Sequence, residues 1–307
     1  MELIRGLLNI RERQRGCVVT IGTYDGIHLG HQALLDRLKE HAAQLSAPTV
    51  LLTFEPTPRE YLSPDAPPAR LTSLRERWRV LRGMRIDNML VLRFGEGLRN
   101  LSGEAFAALL ANDLAARAVV VGHDFRFGCR GEATAPMLVE AGRRLGFAVD
   151  VVPPVMLDGE RVSSSGVRDA LGRGEFEIAK RRLGRAYTMV GRVVPGQQLG
   201  RNLGFPTANL RIERRRAPLN GIFAVRVHGI GAAPLPGVAS LGTRPTVGGV
   251  HTLLEVHLFD FAADIYGREI EVEFVAKLRD EERFPTLESL VEQIHRDAAQ
   301  ARRILNV

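Results

Sequence analysis

Two histidines three residues apart follow a glycine-rich turn near the beginning of the chain. They close the segment Gly22-Thr23-Tyr24-Asp25-Gly26-Ile27-His28-Leu29-Gly30-His31. Glycines let the backbone approach a phosphate closely, and imidazoles at this spacing on a helix face the same way. Both rings can therefore donate hydrogen bonds to one polyphosphate, with Gly22, Gly26 and Gly30 around the nucleotide. We expect Asp25 to shape the turn rather than to contact the substrate.

A strand and a helix must position this turn. The apolar run at residues 17–21 precedes it and predicts a buried strand. The apolar residues that follow it at helical spacing are Leu34, Leu35, Leu38, Ala42 and Leu45. The histidines are thus expected at a helix N-terminus, where unpaired N–H groups and the helix dipole favour a phosphate. The pattern H-x-G-H in this context is typical of nucleotidylyltransferases and of class I tRNA synthetases.

Three further polar segments follow predicted strands in the first half of the chain. Two prolines make residues 53–60 a rigid turn, and its position beside the predicted cleft leaves a substrate role open. Asp124, Phe125 and Phe127 can hold a planar ring by hydrogen bonding and stacking, although aromatic side chains also pack in cores. Hydroxyls at a helix start, followed by a cation one turn later, suit a phosphate clamp. That set is Ser163, Ser164, Ser165 and Arg168.

A second glycine-rich segment lies at residues 196–210. Its glycines, among them Gly200 and Gly204, predict a loop that closes on phosphates. Thr207 and Asn209 alternate along an extended segment, so their oxygens face one side and suit Mg²⁺. The lysine of a P-loop is missing from the sequence. Taken alone, the segment also fits a glycine turn that leads into a barrel strand.

The hydrophobic pattern changes character near residue 185. Before it, strand-like and helix-like segments alternate, which predicts a parallel sheet with helices on both faces. Strand candidates are 17–21, 49–54, 88–93, 117–121 and 147–152, and helix candidates are 31–45, 73–82, 103–112 and 134–145. After it, short alternating strands predict an antiparallel barrel or sandwich, followed by one amphipathic helix. We expect an α/β Rossmann-like domain over 1–184 and an antiparallel β domain over 185–307, divided within 183–187.

Composition is that of a soluble globular protein. Of 307 residues, 45% are hydrophobic and 25% are charged, and the net charge is +7. This excess of cations fits either an ordinary basic surface or the attraction of anionic substrates. Basic tracts interleaved with aromatics and apolar runs of about 18 residues do not occur, so we expect no nucleic-acid binding and no membrane span. Cys17 and Cys129 have no metal-ligand neighbours, which predicts free thiols and a cytoplasmic location.

In their order along the chain, these motifs resemble bacterial bifunctional riboflavin kinase/FAD synthetases. The N-terminal module of that family carries G-x-F-D-G-x-H-x-G-H, T-F-E-P-H-P, G-x-D-F-x-F-G and S-S-T-x-I-R. The resemblance implies a Rossmann-like nucleotidylyltransferase domain in which the phosphate of FMN attacks the α-phosphorus of ATP and releases pyrophosphate. It implies phosphate contacts from His28, His31 and Arg168, and a flavin-proximal segment at Asp124, Phe125 and Phe127.

The C-terminal half resembles the riboflavin kinase module of the same family, whose hallmark is G-F-P-T-A-N, and the resemblance implies an antiparallel β-barrel with a C-terminal helix. Further matches are Ala239–Thr246, Glu255–Phe261 and Leu278–Glu281. The resemblance implies that Glu255 is the general base for the riboflavin 5′-hydroxyl and that Arg279 lies near the flavin phosphate. Riboflavin, FMN, FAD and ATP are then the expected partners. We expect Mg²⁺ at Thr207 and Asn209, and the sequence leaves self-association open.

Some positions depart from the family pattern, and two rival functions need weighing. Tyr24 replaces the usual Phe, Ser165 replaces Thr, and Thr57 replaces a His whose imidazole it lacks; residues 128–132 form a shortened segment. A tRNA-charging enzyme would need a K-M-S-K-S loop and a long anticodon-binding region, and the sequence contains neither. A regulator derived from a decayed enzyme is disfavoured by the intact set His28, His31, Arg168, Thr207, Asn209 and Glu255.

Overall fold

A computed structural model describes residues 1–196, 204–214, 216–246 and 249–307. Its backbone contacts divide the chain into two compact units. The first unit comprises Met1–Pro68 and Leu74–Ser163, and the second comprises Ala69–Ser73 and Ser164–Val307. Each unit folds around hydrophobic clusters of its own.

The first unit is built on a parallel sheet of six strands. These strands are β1 (Glu2–Arg5), β2 (Val18–Ile21), β3 (Thr49–Glu55), β4 (Asn88–Arg93), β5 (Ala118–Gly122) and β8 (Ala148–Val152). Two short ribbons pair β6 (Arg126–Phe127) with β7 (Ala133–Thr134) and β9 (Met156–Leu157) with β10 (Glu160–Arg161). The sheet order is β1-β4-β3-β2-β5-β8. Strand order therefore reverses between β2 and β5, which is where open α/β sheets bind ligands.

Helices cover both faces of this sheet. They are α1 (Leu29–Leu45), α2 (Pro58–Leu62), α3 (Leu74–Gly83), α4 (Glu96–Arg99), α5 (Gly103–Asn112) and α6 (Ala135–Leu145). Two buried clusters lie on opposite sides of β2, one with Val19 and Ile21 and the other with Val18. The predicted α/β architecture is confirmed. The edge strand β1 escaped prediction because it is only four residues long and mixes polar with apolar residues.

The second unit contains a closed antiparallel barrel, which confirms the barrel expected from the resemblance and excludes the sandwich that the strand pattern alone left open. Its strands are β11 (Thr188–Val194), β12 (Ala208–Arg211), β13 (Gly221–His228), β14 (Leu235–Thr246), β15 (Gly249–Leu258) and β16 (Glu269–Arg279). They close in the order β11-β12-β15-β14-β13-β16. Leu210, Leu254 and Val256 belong to the buried cluster of this barrel. Because side chains alternate across a strand, Asn209 and Glu255 face outward.

Within the described part of the second unit, three helices accompany the barrel: α7 (Ser164–Gly172), α8 (Phe176–Leu183) and α9 (Leu287–Leu305). Phe176 of α8 meets Phe223 edge-on, with ring centroids 5.9 Å apart, and stacks on Phe274 at 6.4 Å. By packing, residues 164–183 thus belong with the barrel. Backbone contacts divide the compact units at Ser163/Ser164, because buried contacts rather than the hydrophobic pattern of the sequence define such a unit. The boundary at 184/185 between the two functional domains stays a prediction.

Candidate active sites

The histidine turn connects β2 to α1. His28 is the N-cap of α1, with extended backbone, and its Nδ1 accepts a hydrogen bond from the His31 backbone N–H at 3.4 Å. The two imidazole rings stack with centroids 3.7 Å apart and 18° between their planes. A Cβ at Gly30 would lie 3.1 Å from the His28 ring, so a side chain there would crowd the pair. The predicted convergence of two imidazoles at a helix N-terminus is therefore present.

The backbone that leads into the pair is strained. Tyr24 and Ile27 adopt left-handed φ angles of 50° and 46°, and Gly26 between them has φ 87°. A non-glycine residue in that region costs about 1–3 kcal/mol. Tyr24 is fully buried, hydrogen-bonds through its hydroxyl to Thr20, and places its ring 4.9 Å from that of His31. Burial also raises the pKa of the Tyr24 hydroxyl, so it stays neutral.

The segment that carries Asp124, Phe125 and Phe127 follows β5, the strand next to β2 at the point where the strand order reverses. The exposed Asp124 carboxylate accepts a hydrogen bond from Arg161 Nη2 at 2.5 Å. Burial disfavours the charge of Asp124, but the hydrogen bond and charge of Arg161 outweigh it and lower the pKa of Asp124. Phe125 and Phe127 stack at 5.4 Å, and Phe127 is buried in the core. Phe127 thus packs in the core, as the sequence also allowed, and contact with the flavin stays a prediction for Phe125 and Phe127.

The remaining first-half motifs are caps and helix starts. Thr57 is the N-cap of α2: its Oγ1 accepts from the Glu60 N–H at 3.4 Å, and Glu60 Oε2 accepts from the Thr57 N–H at 3.0 Å. A threonine thus serves here as a helix cap. Ser163 precedes α7, Ser164 and Ser165 begin it, and Arg168 lies one turn later, where its Nε donates to the Ala69 carbonyl at 2.5 Å.

In the second unit, three polar residues from three strands form a row on the outer face of the barrel. Asn209 on β12 pairs directly with Glu255 on β15, and Glu255 pairs in turn with Ser240 on β14. Directly paired residues on adjacent strands project to the same face. Asn209 is buried and Glu255 is half-buried. The predicted base and the predicted metal ligand are therefore neighbours, and Ser240 joins them.

The segment that leads into β12 is held by aromatic contacts. The Phe205 ring lies edge-on to His257, with centroids 5.3 Å apart, and to His295 at 4.8 Å. His257 Nδ1 is 2.9 Å from the Pro206 carbonyl oxygen. Thr207, half-buried, follows directly. Gly204 has φ 82°, whereas Gly200 lies outside the described residues.

A cavity of about 520 Å³ continues this row toward the last helix. Ser240, Ile222 and Arg279, which are paired across β14, β13 and β16, line its floor. The remaining wall is formed by Glu281, Glu282, Phe284, Pro285, Thr286, Leu287 and Leu290. Its volume lies within the range of about 300–1,000 Å³ that suits a small-molecule ligand.

Arg279 is anchored beside this cavity. Its guanidinium donates to the Asp297 carboxylate of α9, with Nε at 3.0 Å and Nη2 at 2.8 Å from Oδ2. The same guanidinium lies over the Phe284 ring at 5.4 Å. A cation held in this way presents a defined edge to a ligand.

Comparison with known proteins assigns each half of the chain. The family model for FAD synthetase matches residues 10–166, and the model for riboflavin kinase matches residues 183–305. A bifunctional riboflavin kinase/FMN adenylyltransferase from Pseudomonas fluorescens is 47% identical and aligns with 98% of this chain and 97% of its own length. The chain belongs to the bifunctional riboflavin kinase/FMN adenylyltransferase family. The enzyme phosphorylates riboflavin to FMN and adenylylates FMN to FAD, with ATP and flavins as substrates.

Further relatives agree in length and fold. The bifunctional riboflavin kinase/FMN adenylyltransferase of Escherichia coli K12 is 44% identical over 98% of this chain and 97% of its own. A crystal structure described as a macrolide-efflux protein from Streptococcus pneumoniae is 30% identical, covers 98% of both chains and superposes with a TM-score of 0.82. Among the described residues, no helix combines the length and apolarity needed to cross a membrane.

Three residues in or near the row of Asn209, Glu255 and Ser240 were not predicted as site residues. Ser240, His257 and Asp297 are ordinary polar residues in strands or a helix, and only strand pairing and helix packing bring them to the site. Two of them lie inside segments that match the family. Nothing in the sequence distinguishes Asp297 from the other acids of the bifunctional riboflavin kinase/FMN adenylyltransferase chain.

Proposed function

We propose that the turn carrying His28 and His31 is the FMN adenylyltransferase site. An oxygen of the FMN phosphate attacks the α-phosphorus of ATP, the bond from that phosphorus to the bridging oxygen breaks, and pyrophosphate leaves. This reaction requires positioning and charge stabilisation from the protein rather than a protein nucleophile. The stacked histidine pair at the N-terminus of α1 is the observation that carries this assignment, because its donors and the helix dipole both favour an anion.

Other motif residues complete the proposed adenylyltransferase site. Arg168 supplies the cation for the triphosphate, and Asp124 with Phe125 and Phe127 forms the segment near the flavin. The proposed nucleotide contacts are Gly22, Gly26, Gly30, Ser163, Ser164 and Ser165. Gly22 and Gly26 follow β2, and Ser164, Ser165 and Arg168 occupy the first turns of α7, which supports these roles.

Replacing His31 tests the adenylyltransferase assignment. We expect His31→Ala to lower FAD formation by about 10²–10³-fold, the usual cost of one lost transition-state donor. Riboflavin phosphorylation should continue, so FMN should accumulate when flavins are separated by chromatography. His41→Ala, on the same helix and paired with Asp150 at 2.8 Å, is the matched control. Normal FAD synthesis by His31→Ala would remove this residue from the site.

We further propose that Glu255 is the general base of the kinase site. Its carboxylate takes the proton of the riboflavin 5′-hydroxyl as that oxygen attacks the γ-phosphorus of ATP, and ADP leaves. The direct pairing of Glu255 with Asn209, and the continuation of their row to the cavity beside Arg279, support this role. The flavin ring would occupy the cavity, and phosphate would be transferred beside the row.

An isosteric substitution tests this base. Glu255→Gln keeps the size of the side chain but cannot accept the proton, so we expect FMN formation to fall by about 10²-fold or more. FAD formation from supplied FMN should be unaffected. Glu271→Gln, on strand β16 of the same barrel, controls for loss of an acid from a strand. A rate near wild type for Glu255→Gln would favour another acid, such as Asp260.

Thr207 and Asn209 are the proposed ligands for Mg²⁺. A Cβ at Gly196 would lie 2.6 Å from Asn209 Oδ1, so this glycine leaves space for the amide. The Thr207 hydroxyl oxygen and the Asn209 amide oxygen would hold Mg²⁺, and the charge of the bound cation would offset that of the phosphates at this point. Both oxygens are neutral, and the described residues contain no cluster of three His, Cys, Asp or Glu side chains suited to a metal. Asn209→Ala should therefore raise the Mg²⁺ concentration that gives half-maximal kinase rate.

The division of labour and the cellular context complete the proposal. We propose that residues 1–184 carry adenylyl transfer and residues 185–307 carry the kinase, in agreement with the motifs each half contains. Two unpaired cysteines support a cytoplasmic location. Sedimentation velocity of the full chain tests the self-association that the sequence leaves open.

A further inference from the structure

A fully buried arginine links the histidine turn to the end of β3 in the first unit. Arg77 lies on α3, and its side chain has no exposed surface. Its guanidinium donates to the Thr23 carbonyl oxygen at 2.6 Å, to Thr53 Oγ1 at 3.1 Å and to Glu55 Oε2 at 3.0 Å. Thr23 lies in the histidine turn, whereas Thr53 and Glu55 end β3. One side chain therefore ties the histidine turn to the neighbouring strand.

Fold stability alone does not call for a guanidinium at this position. A buried charge is costly unless it is paired and hydrogen-bonded, and arginine is rarely found fully buried. Well-packed apolar residues of similar volume often serve stability as well as a buried ion pair, or better. What Arg77 supplies beyond volume is a rigid set of directed donors, one of them aimed at a backbone carbonyl.

The backbone held by this donor is the strained part of the turn. The Thr23 carbonyl belongs to the peptide immediately before Tyr24, which has φ 50°, and Ile27 has φ 46° just before His28. Such conformations persist only where surrounding contacts over-determine them. Thr53 Oγ1 is also 3.4 Å from the Thr23 oxygen, so the carbonyl is held from two sides. The position of the histidine pair therefore depends on this contact.

We propose that Arg77 is a positioning residue for FMN adenylyl transfer. By holding the Thr23 carbonyl, it sets where His28 and His31 meet the phosphates. The inference rests on the proposed role of the histidine turn. A displacement of about 1 Å in a catalytic constellation costs on the order of 10²-fold in rate. Loss of Arg77 therefore lowers kcat for FAD synthesis by about that factor and changes KM for FMN little.

The test compares Arg77→Met with Arg77→Lys in the full chain. Methionine keeps much of the stem but removes the donors, whereas lysine keeps the charge and an ammonium donor without the planar fork, so Arg77→Lys should recover part of the kcat that Arg77→Met loses. Exposed Arg79 lies two residues further along α3, and Arg79→Met is the matched control. Trp78, the only tryptophan, reports folding of this unit by its fluorescence. Riboflavin phosphorylation checks the second unit in the same sample.

Two results would overturn the proposal. One is a wild-type kcat for FAD synthesis in folded Arg77→Met. The other is an equal loss in Arg77→Lys and Arg77→Met when both are folded. If Arg77→Met does not fold, Glu55→Gln is the deciding variant, because it weakens the charge-assisted hydrogen bond from Arg77 without changing the shape of the side chain. A lowered kcat for FAD synthesis in Glu55→Gln supports the proposal, and a wild-type kcat refutes it. If His31→Ala is also active, the site assignment itself fails, whereas an inactive His31→Ala confines the failure to Arg77.

Discussion

Removal of the Asp297 charge should destabilise the second unit and weaken riboflavin binding. Asp297 is 4% exposed and accepts hydrogen bonds from Arg279 Nη2 at 2.8 Å and Gln293 Nε2 at 2.9 Å. In Asp297→Asn the guanidinium stays in place but loses its compensating charge. Loss of one partner of a buried ion pair costs about 3–5 kcal/mol. Because the Arg279 side chain retains 16% exposure, we expect the lower end, about 3 kcal/mol.

Calorimetry of the full chain measures this cost. A loss of about 3 kcal/mol lowers the melting temperature of a unit of this size by about 6–12 °C. Trp78 lies in the first unit, so a transition that its fluorescence does not follow belongs to the second. We also expect a higher KM for riboflavin, because Arg279 lines the cavity.

A second arginine–aspartate pair on the same helix provides the control. Arg302 of α9 donates to the Asp260 carboxylate at 2.9 and 3.0 Å, but both side chains are exposed. Exposed pairs contribute little, so Asp260→Asn should scarcely move the transition. Equal shifts in Asp260→Asn and Asp297→Asn would refute the argument from burial. An unchanged riboflavin KM in Asp297→Asn would separate Arg279 from flavin binding.

Three further outcomes follow from the geometry. Gly196→Ala should displace the Asn209 amide and lower riboflavin phosphorylation, with FMN adenylylation in the same preparation unchanged. Burial raises the pKa of Cys17 to about 12, so iodoacetamide near neutral pH should label only the other cysteine, as mass spectrometry would show. Burial opposes the charge of Asp124, but Arg161 outweighs it and lowers the pKa of Asp124 below 3.8. The Asp124–Arg161 pair therefore stabilises the fold above pH 3.8, and this stabilisation is lost as the pH falls through the lowered pKa. NMR titration should show a higher Asp124 pKa in Arg161→Met.

Local pattern predicted the elements that carry the first site. The apolar run at 17–21 corresponds to β2, and the helical periodicity at 31–45 corresponds to α1. Both signals are short-range, since they depend on side-chain periods of about two and 3.6 residues. The glycine turn between them placed His28 correctly at the start of a helix.

Packing decided what local pattern could not. Helix α8 has an ordinary amphipathic sequence, yet Phe176 packs with Phe223 and Phe274 of the barrel. The second compact unit therefore begins well before the change in hydrophobic pattern near residue 185. Thr57 became a helix cap through Glu60, three residues away.

The sequence by itself determined an α/β first half, an antiparallel second half and the motifs that mark two nucleotide-dependent reactions, because these depend on periodicity and on glycine-bearing turns. Tertiary structure alone decided that Asn209 faces Glu255 and that Arg77 reaches the Thr23 carbonyl. Such contacts join residues far apart in the chain, and strand register and helix packing set them. Neither register nor packing leaves a local signature in the residues that they bring together.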